Sequence, residues 1–175
     1  MILLLGGARS GKSDTAARLA AGAGAPVTFI ATAEPGDAEM AERIARHRAQ
    51  RPTAWTTVET PLDLSSAVKA APPADYVVVD CLTLWVSNLL GHGRTGSDVL
   101  AEARRVADLL RQRRAVVVSN EVGLGIVPAN ELARVFGDTL GGVNAIFAEA
   151  ASRTLLMVAG RALALPSAED ALAAE

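Results

Sequence analysis

The chain has a single cysteine, Cys81, so no internal disulfide can brace it. Aromatic residues make up only 3% of it, and the core must therefore be built of Ala, Val and Leu. Its apolar runs break off well short of the ~20 residues that a membrane-spanning helix needs, which excludes membrane insertion as an expectation. Basic residues form no stripe: 17 Lys and Arg are scattered among 19 Asp and Glu for a net charge of −2. Nucleic acid is not an expected partner. No basic, apolar and small-residue signal precedes the first apolar run, and the cytoplasm is the expected compartment. What is present, 175 residues of which 50% are hydrophobic and 21% charged, fits one domain without disulfide or metal staples. That domain is expected over 1–166, with a frayed tail at 167–175.

Continuous apolar runs mark strands buried on both faces: Met1 to Leu5, Val27 to Ala31, Tyr76 to Asp80 and Val116 to Ser119, with a short one at Trp55 to Glu59. Between them lie helical patterns. Lys12 to Ala21 repeats Ala16, Leu19 and Ala20 at helical spacing; Asp37 to about Gln50 has acids first, basic residues last and Pro52 beyond. A short helix is expected over Leu82 to Leu90. The glycine-rich stretch Gly91 to Ser97 reads as a loop, and a helix capped by Ser97 or Asp98 should run to about Arg114. A loop over Asn120 to Val127 leads to Pro128 and a helical region reaching about Arg153, weakened by Gly137, Gly141 and Gly142. Thr154 to Ala159 and Arg161 to Leu165 read as paired final strands. Alternating strands and helices imply right-handed crossovers and ligands at the carboxyl ends of the strands, where the loops after Leu5, Ala31, Asp80 and Ser119 should line one crevice.

The chemistry concentrates there. Gly6, Gly7, Ala8, Arg9, Ser10, Gly11, Lys12 and Ser13 match G-x-x-x-x-G-K-[ST], with the required strand before and helix after. Its glycines let backbone N–H groups turn inward around phosphate oxygens, and the following helix N-terminus adds partial positive charge. Lys12 offers a point charge to the outer phosphates, and Ser13 a ligand for Mg²⁺. Asp80 ends a Walker B-like strand and reaches metal directly or through water; alternatively it caps the next helix. The expected fold is α/β, a P-loop NTPase-like (RecA-like) three-layer sandwich with a mostly parallel central sheet and an antiparallel C-terminal strand.

Spacing alone leaves His47 open, since Met40, Ile44 and His47 share one seam that could simply be buried. A neutral imidazole can also attack phosphorus, and Arg46, Arg48 and Arg51 crowd around it. His92 reads as a surface residue, Cys81 as a small core residue, and Glu121 either faces the crevice or caps a turn.

Four segments resemble a known family, the bifunctional adenosylcobinamide kinase/adenosylcobinamide-phosphate guanylyltransferases of cobalamin nucleotide-loop assembly. They are GGARSGKS; Ala31-Thr32-Ala33 with Asp37, Glu39 and Met40 following; Arg43-Ile44-x-x-His47 with Arg51-Pro52, Trp55, Thr57 and Glu59; and Asn120-Glu121-Val122-Gly123-x-Gly125-Ile126-Val127-Pro128. The resemblance implies that adenosylcobinamide is phosphorylated with ATP or GTP. The histidine matching His47 is then guanylylated by GTP, and GMP passes to adenosylcobinamide phosphate. It implies nucleotide-binding roles for Gly6 to Ser13, for Ala31, Thr32 and Ala33, for Arg48, Ala49, Gln50 and Arg51, and for Glu59 and Asp80, beside the Mg²⁺ that the motif itself puts on Ser13 and Asp80. It also implies a homotrimer whose corrinoid site crosses a subunit boundary. Some members carry two adjacent histidines where this chain has Arg46 and His47, which leaves one candidate nucleophile, and Asp80 is Glu in some relatives. A plain P-loop small-molecule kinase and a regulatory nucleotide-binding module are the competing readings.

Overall fold

The computed structural model describes residues 1–49 and 51–173. In chain order the elements are β1 (Ile2–Gly6), α1 (Lys12–Ala21), β2 (Val27–Ala31), α2 (Ala38–Ala49), β3 (Thr56–Glu59), α3 (Leu64–Ala70) and β4 (Tyr76–Asp80). They continue with α4 (Leu82–Gly91), α5 (Gly96–Arg111), β5 (Ala115–Val118), α6 (Glu131–Ala150), β6 (Arg153–Val158), β7 (Arg161–Leu165) and α7 (Ala168–Ala173). The seven strands form one sheet in the order β3-β2-β4-β5-β1-β6-β7. Every neighbouring pair is parallel except the final β6–β7 hairpin.

The apolar runs are continuous because alternate residues serve different cores. Leu3, Leu5, Val77, Val79 and Val117 face a large cluster closed by Trp85, Val99, Leu110 and Phe147, among others, from α3 to α6. Leu4, Val78, Val116 and Val118 face a smaller cluster with Ala16 and Ala20 of α1. Helices, sheet and helix make the three layers. The scarcity of aromatics leaves Trp85 and Phe147 as the largest fully buried side chains, and the Trp85 indole N–H is satisfied by Leu62 O at 2.9 Å.

Several boundaries differ from the sequence-based expectation, each for a local reason. Helix α3 was not expected; its cap is Asp63, whose carboxylate accepts the Ser66 N–H at 3.1 Å. Helix α5 starts earlier than Ser97 because Thr95 is the N-cap, locked to Asp98 in a reciprocal capping box, so the glycine-rich loop is correspondingly shorter. Helix α6 is capped by Asn130 rather than started by Pro128, and it ends at Ala150, so Arg153 opens β6. Its glycines are tolerated for a packing reason at Gly142, where a Cβ would come within 2.7 Å of Leu100 Cδ2 on α5. The tail holds a short exposed helix, α7, where fraying was expected.

The register aligns Ala31 with Asp80, Asp80 with Val118 and Val118 with Leu4. The carboxyl ends of β1, β2, β4 and β5 therefore share one edge, which is where the loops carrying the chemistry emerge.

Candidate active site

The turn from β1 into α1 depends on backbone conformations that few residues accept. Gly6 has φ 146°, and a Cβ there would lie 2.3 Å from Met157 O on β6; Gly11 has φ 89° as it caps α1. Arg9, at φ 56°, is a non-glycine residue in left-handed conformation at the loop apex. Two neighbours brace the loop: Gly160 N–H donates to Ser10 O at 2.9 Å, and Glu121 N–H to Gly6 O at 3.2 Å.

Lys12 is 6% exposed, and its ammonium donates to Gly6 O at 2.8 Å, Gly7 O at 2.7 Å and Ser10 Oγ at 3.3 Å. Burial lowers its pKa from the usual lysine value, while Cys81 and Asp80 oppose the shift. The charge is thus held over the loop by the carbonyls that surround the phosphate cradle. Gly7, Ala8 and Arg9 are exposed and line the open side of that cradle.

A cleft of about 210 Å³ opens beside the loop, and Ser13, Phe29, His47, Arg51, Trp55 and Asp80 all line it. His47, in the last turn of α2, is half-buried at this cleft. Met40 and Ile44 are likewise only half-buried, and none of the three belongs to either core. Of the seam that spacing left ambiguous, His47 is the residue that lines the cleft. Asp80 sits against the Ser13 hydroxyl; burial raises its pKa above the ordinary carboxylate value, and the Ser13 hydrogen bond, His47, Arg51 and Lys12 pull it back down.

The residues present suit Mg²⁺. Among the described residues no group of three or more His, Cys, Asp and Glu could form an all-protein cage. Magnesium keeps several waters and takes one or two protein ligands plus substrate phosphates, which is what a Ser13 hydroxyl next to the Asp80 carboxyl at the cleft offers.

Other expected residues fall in different places. Arg48 pairs with Glu59 at 3.2 Å on the exposed rim, and Ala49 is exposed beside it. Ala31 and Thr32 are buried at the end of β2, with Ala33 half-buried after them. Gln50 lies outside the described residues. His92 stands away from the cleft, 3.3 Å from Glu34. Burial lifts the Cys81 thiol to about 11, consistent with an inert packing residue. Glu121 turns its carboxylate onto the Gly123 N–H of its own loop.

Phe29, like Asp14 and Ala17, lines the cleft without having been singled out by pattern reading. Its ring carries the Arg51 guanidinium 3.9 Å from the centroid and stacks with Trp55 at 6.2 Å and 19°. The available signal was compositional: in a chain with only three Phe and two Trp, one aromatic lies on the strand beside Asp80. A roomier, open depression of about 540 Å³ between α3 and α5 is lined by Ser65, Lys69, Glu102 and Arg105, and shares no lining residue with the cleft beside the P-loop.

Comparison with known proteins shows the fold and the family. The RadB recombinase superposes with a TM-score of 0.53 at 18% identity, over 89% of this chain and 72% of its own, a likeness of fold alone. A bifunctional adenosylcobalamin biosynthesis protein, CobP, of Pseudomonas aeruginosa is 46% identical over 162 residues, covering 90% of this chain and 92% of the relative. Those named CobU in Salmonella typhimurium and Escherichia coli are 41% and 39% identical, covering 91% of this chain and 96% of each relative. The profile described as cobinamide kinase / cobinamide phosphate guanyltransferase matches residues 2–165, and the chain belongs to that family of bifunctional transferases.

Proposed function

We propose that this protein phosphorylates adenosylcobinamide with ATP or GTP and then moves GMP from GTP, by way of His47, onto adenosylcobinamide phosphate to give adenosylcobinamide-GDP. The observation that carries the reading is the shared cleft: the only histidine of α2 faces the same 210 Å³ space as Ser13 and Asp80. A P-loop by itself supports phosphate binding. A nucleophile in the cleft beside it supports a second, covalent transfer.

In the first step a substrate hydroxyl attacks the γ-phosphorus, a new O–P bond forms, and the bond to the β,γ-bridging oxygen breaks to release nucleoside diphosphate. In the second, a lone pair of the His47 ring attacks the α-phosphorus of GTP, an N–P bond forms, and pyrophosphate leaves. A phosphate oxygen of adenosylcobinamide phosphate then attacks that phosphorus, and the imidazole departs unchanged. Mg²⁺, held by Ser13 and Asp80, would supply charge neutralisation on the triphosphate. The loop amides cradle the phosphates, and Lys12 exchanges its bonds to Gly6 O and Gly7 O for phosphate oxygens. Arg51, fixed over Phe29, adds positive charge at the cleft wall.

The assembly proposed is a homotrimer, supported by the apolar side chains exposed after β5: Leu124 is 85% exposed, Ile126 97% and Val127 77%. Light scattering on the purified protein should return three times the 18.0 kDa chain mass. Incubation with GTP followed by intact mass measurement tests the chemistry. One added GMP, lost in acid and kept in alkali as a phosphoramidate requires, supports the transferase. Phosphorylated cobinamide without the added mass leaves a plain kinase, and neither leaves a nucleotide-binding module.

A further inference from the structure

Thr32 lies at the edge where nucleotide is expected, yet its side chain is fully buried and exposes no surface to a ligand. It is 0% exposed, and its hydroxyl donates to Cys81 O at 2.6 Å while accepting the Cys81 N–H at 2.8 Å. The backbone is engaged as well: Thr32 N–H donates to Asp80 O at 3.2 Å, continuing the β2–β4 ladder beyond its last paired residues. Asn88 of α4 closes the arrangement by donating to Thr32 O at 2.7 Å and Pro61 O at 3.2 Å. A hydroxyl bonded to both the N–H and the C=O of one residue holds that residue's backbone against rotation about the strand axis. Cys81 is the residue directly after Asp80 and the N-cap of α4.

We infer that Thr32 is a positioning residue that acts through the Asp80–Cys81 backbone, holding the Asp80 carboxylate toward Ser13 at the cleft, and does not touch nucleotide with its side chain. The inference rests on the reading of Asp80 as the carboxylate that serves Mg²⁺. A geometric argument supports the division of labour. Asp80 lines the cleft with Ser13, His47 and Arg51 from the last paired position of β4, so the direction of its Cα–Cβ bond, and with it the reach of the carboxylate, is set by the backbone that Thr32 pins one residue further on. Groups that orient a metal ligand without touching the metal commonly matter to affinity by about ten- to a hundredfold.

The test titrates Mg²⁺ against binding of a non-hydrolysable GTP analogue by calorimetry, alongside the thermal midpoint, for wild type, Thr32→Val, Thr32→Ser and Asp80→Asn. Thr32→Val keeps the shape and removes both hydroxyl bonds. The expected result is a Mg²⁺ midpoint raised about tenfold or more, with analogue affinity in the absence of Mg²⁺ unchanged, and recovery of the wild-type midpoint in Thr32→Ser. A loss of analogue affinity without Mg²⁺ would make Thr32 a nucleotide contact and overturn the inference. So would an unchanged midpoint in Thr32→Val where Asp80→Asn raises it, a result that leaves the Asp80 reading standing. An unchanged midpoint in Asp80→Asn itself would instead overturn the Asp80 reading and the inference together. Should Thr32→Val fail to fold, Thr32→Ala, which places no branched methyl against the Cys81 carbonyl, carries the same outcomes.

Discussion

Lys12 opens α1 with its side chain buried and three hydrogen bonds on its ammonium, whereas His47 closes α2, a helix in which no described side chain is buried. Ser13, next to Lys12, lines the same cleft as His47, but the two elements are held by different means. The phosphate loop is set by backbone geometry, by glycines that no other residue can replace, and by bonds from the hairpin turn and the loop after β5. The histidine helix is held at its ends: Asp37 accepts the Met40 N–H at 2.7 Å, Arg48 pairs with Glu59, and Arg51 packs on Phe29. The difference suits two chemistries in one protein. Phosphate binding would serve every nucleotide step and suits the rigid core, while the group carrier proposed at His47 would face first one substrate and then another, which suits an element with few buried contacts.

The largest effect should come from Lys12→Ala, which removes the charge that both transfers need. Phosphorylation and GMP labelling should each fall by about a hundred- to a thousandfold or more. Near wild-type rates in either assay would break the idea of a common phosphate site.

His47→Ala should separate the two regions cleanly. Labelling by GTP should disappear, phosphorylation of adenosylcobinamide should persist, and stability should change by no more than about 0.5 kcal/mol because the side chain is outside both cores. His92→Ala, outside the cleft, should label as wild type. A His47 variant that unfolds would show that α2 is seated as firmly as α1; one that folds and still acquires GMP would refute the carrier role.

Asp80→Asn probes the buried side of the comparison through pH. The folded-state pKa of Asp80 lies above its ordinary value, chiefly through desolvation, so between the two values the native state holds more protons than the unfolded chain. Stability contributed by this group therefore rises as pH falls through the raised pKa and is complete below the ordinary one. Without Mg²⁺, denaturant unfolding of wild type minus Asp80→Asn should show that gain on acidification. A flat difference would mean that Asp80 is solvated and not part of the cleft floor.

The smallest effect belongs to the rim. Arg48→Ala removes an ion pair whose side chains are 67% and 50% exposed, and should cost less than about 1 kcal/mol in denaturant unfolding. A larger loss would show that the Arg48–Glu59 pair is what seats α2.

Much of this was legible in the residues themselves. The P-loop could be read because its chemistry is local: consecutive backbone groups, a strand before and a helix after. The strands were legible because a chain buried on both faces must be apolar throughout. Boundaries failed where competing caps lay within a few residues, as with Thr95 against Ser97, and α3 was missed because Asp63 and Leu64 to Ala70 make a helix too short to show a period.

By itself the sequence determined the phosphate cradle, the alternation of strands and helices and the family, since each is written in contiguous or regularly spaced residues. The tertiary structure alone decided that His47 of the Met40–Ile44–His47 seam lines a cleft, that Phe29 supports Arg51, and that the Thr32 hydroxyl bonds Cys81. Helical spacing names a face without naming what covers it, and a hydroxyl shows its partner only when a residue 49 positions away in the chain arrives beside it.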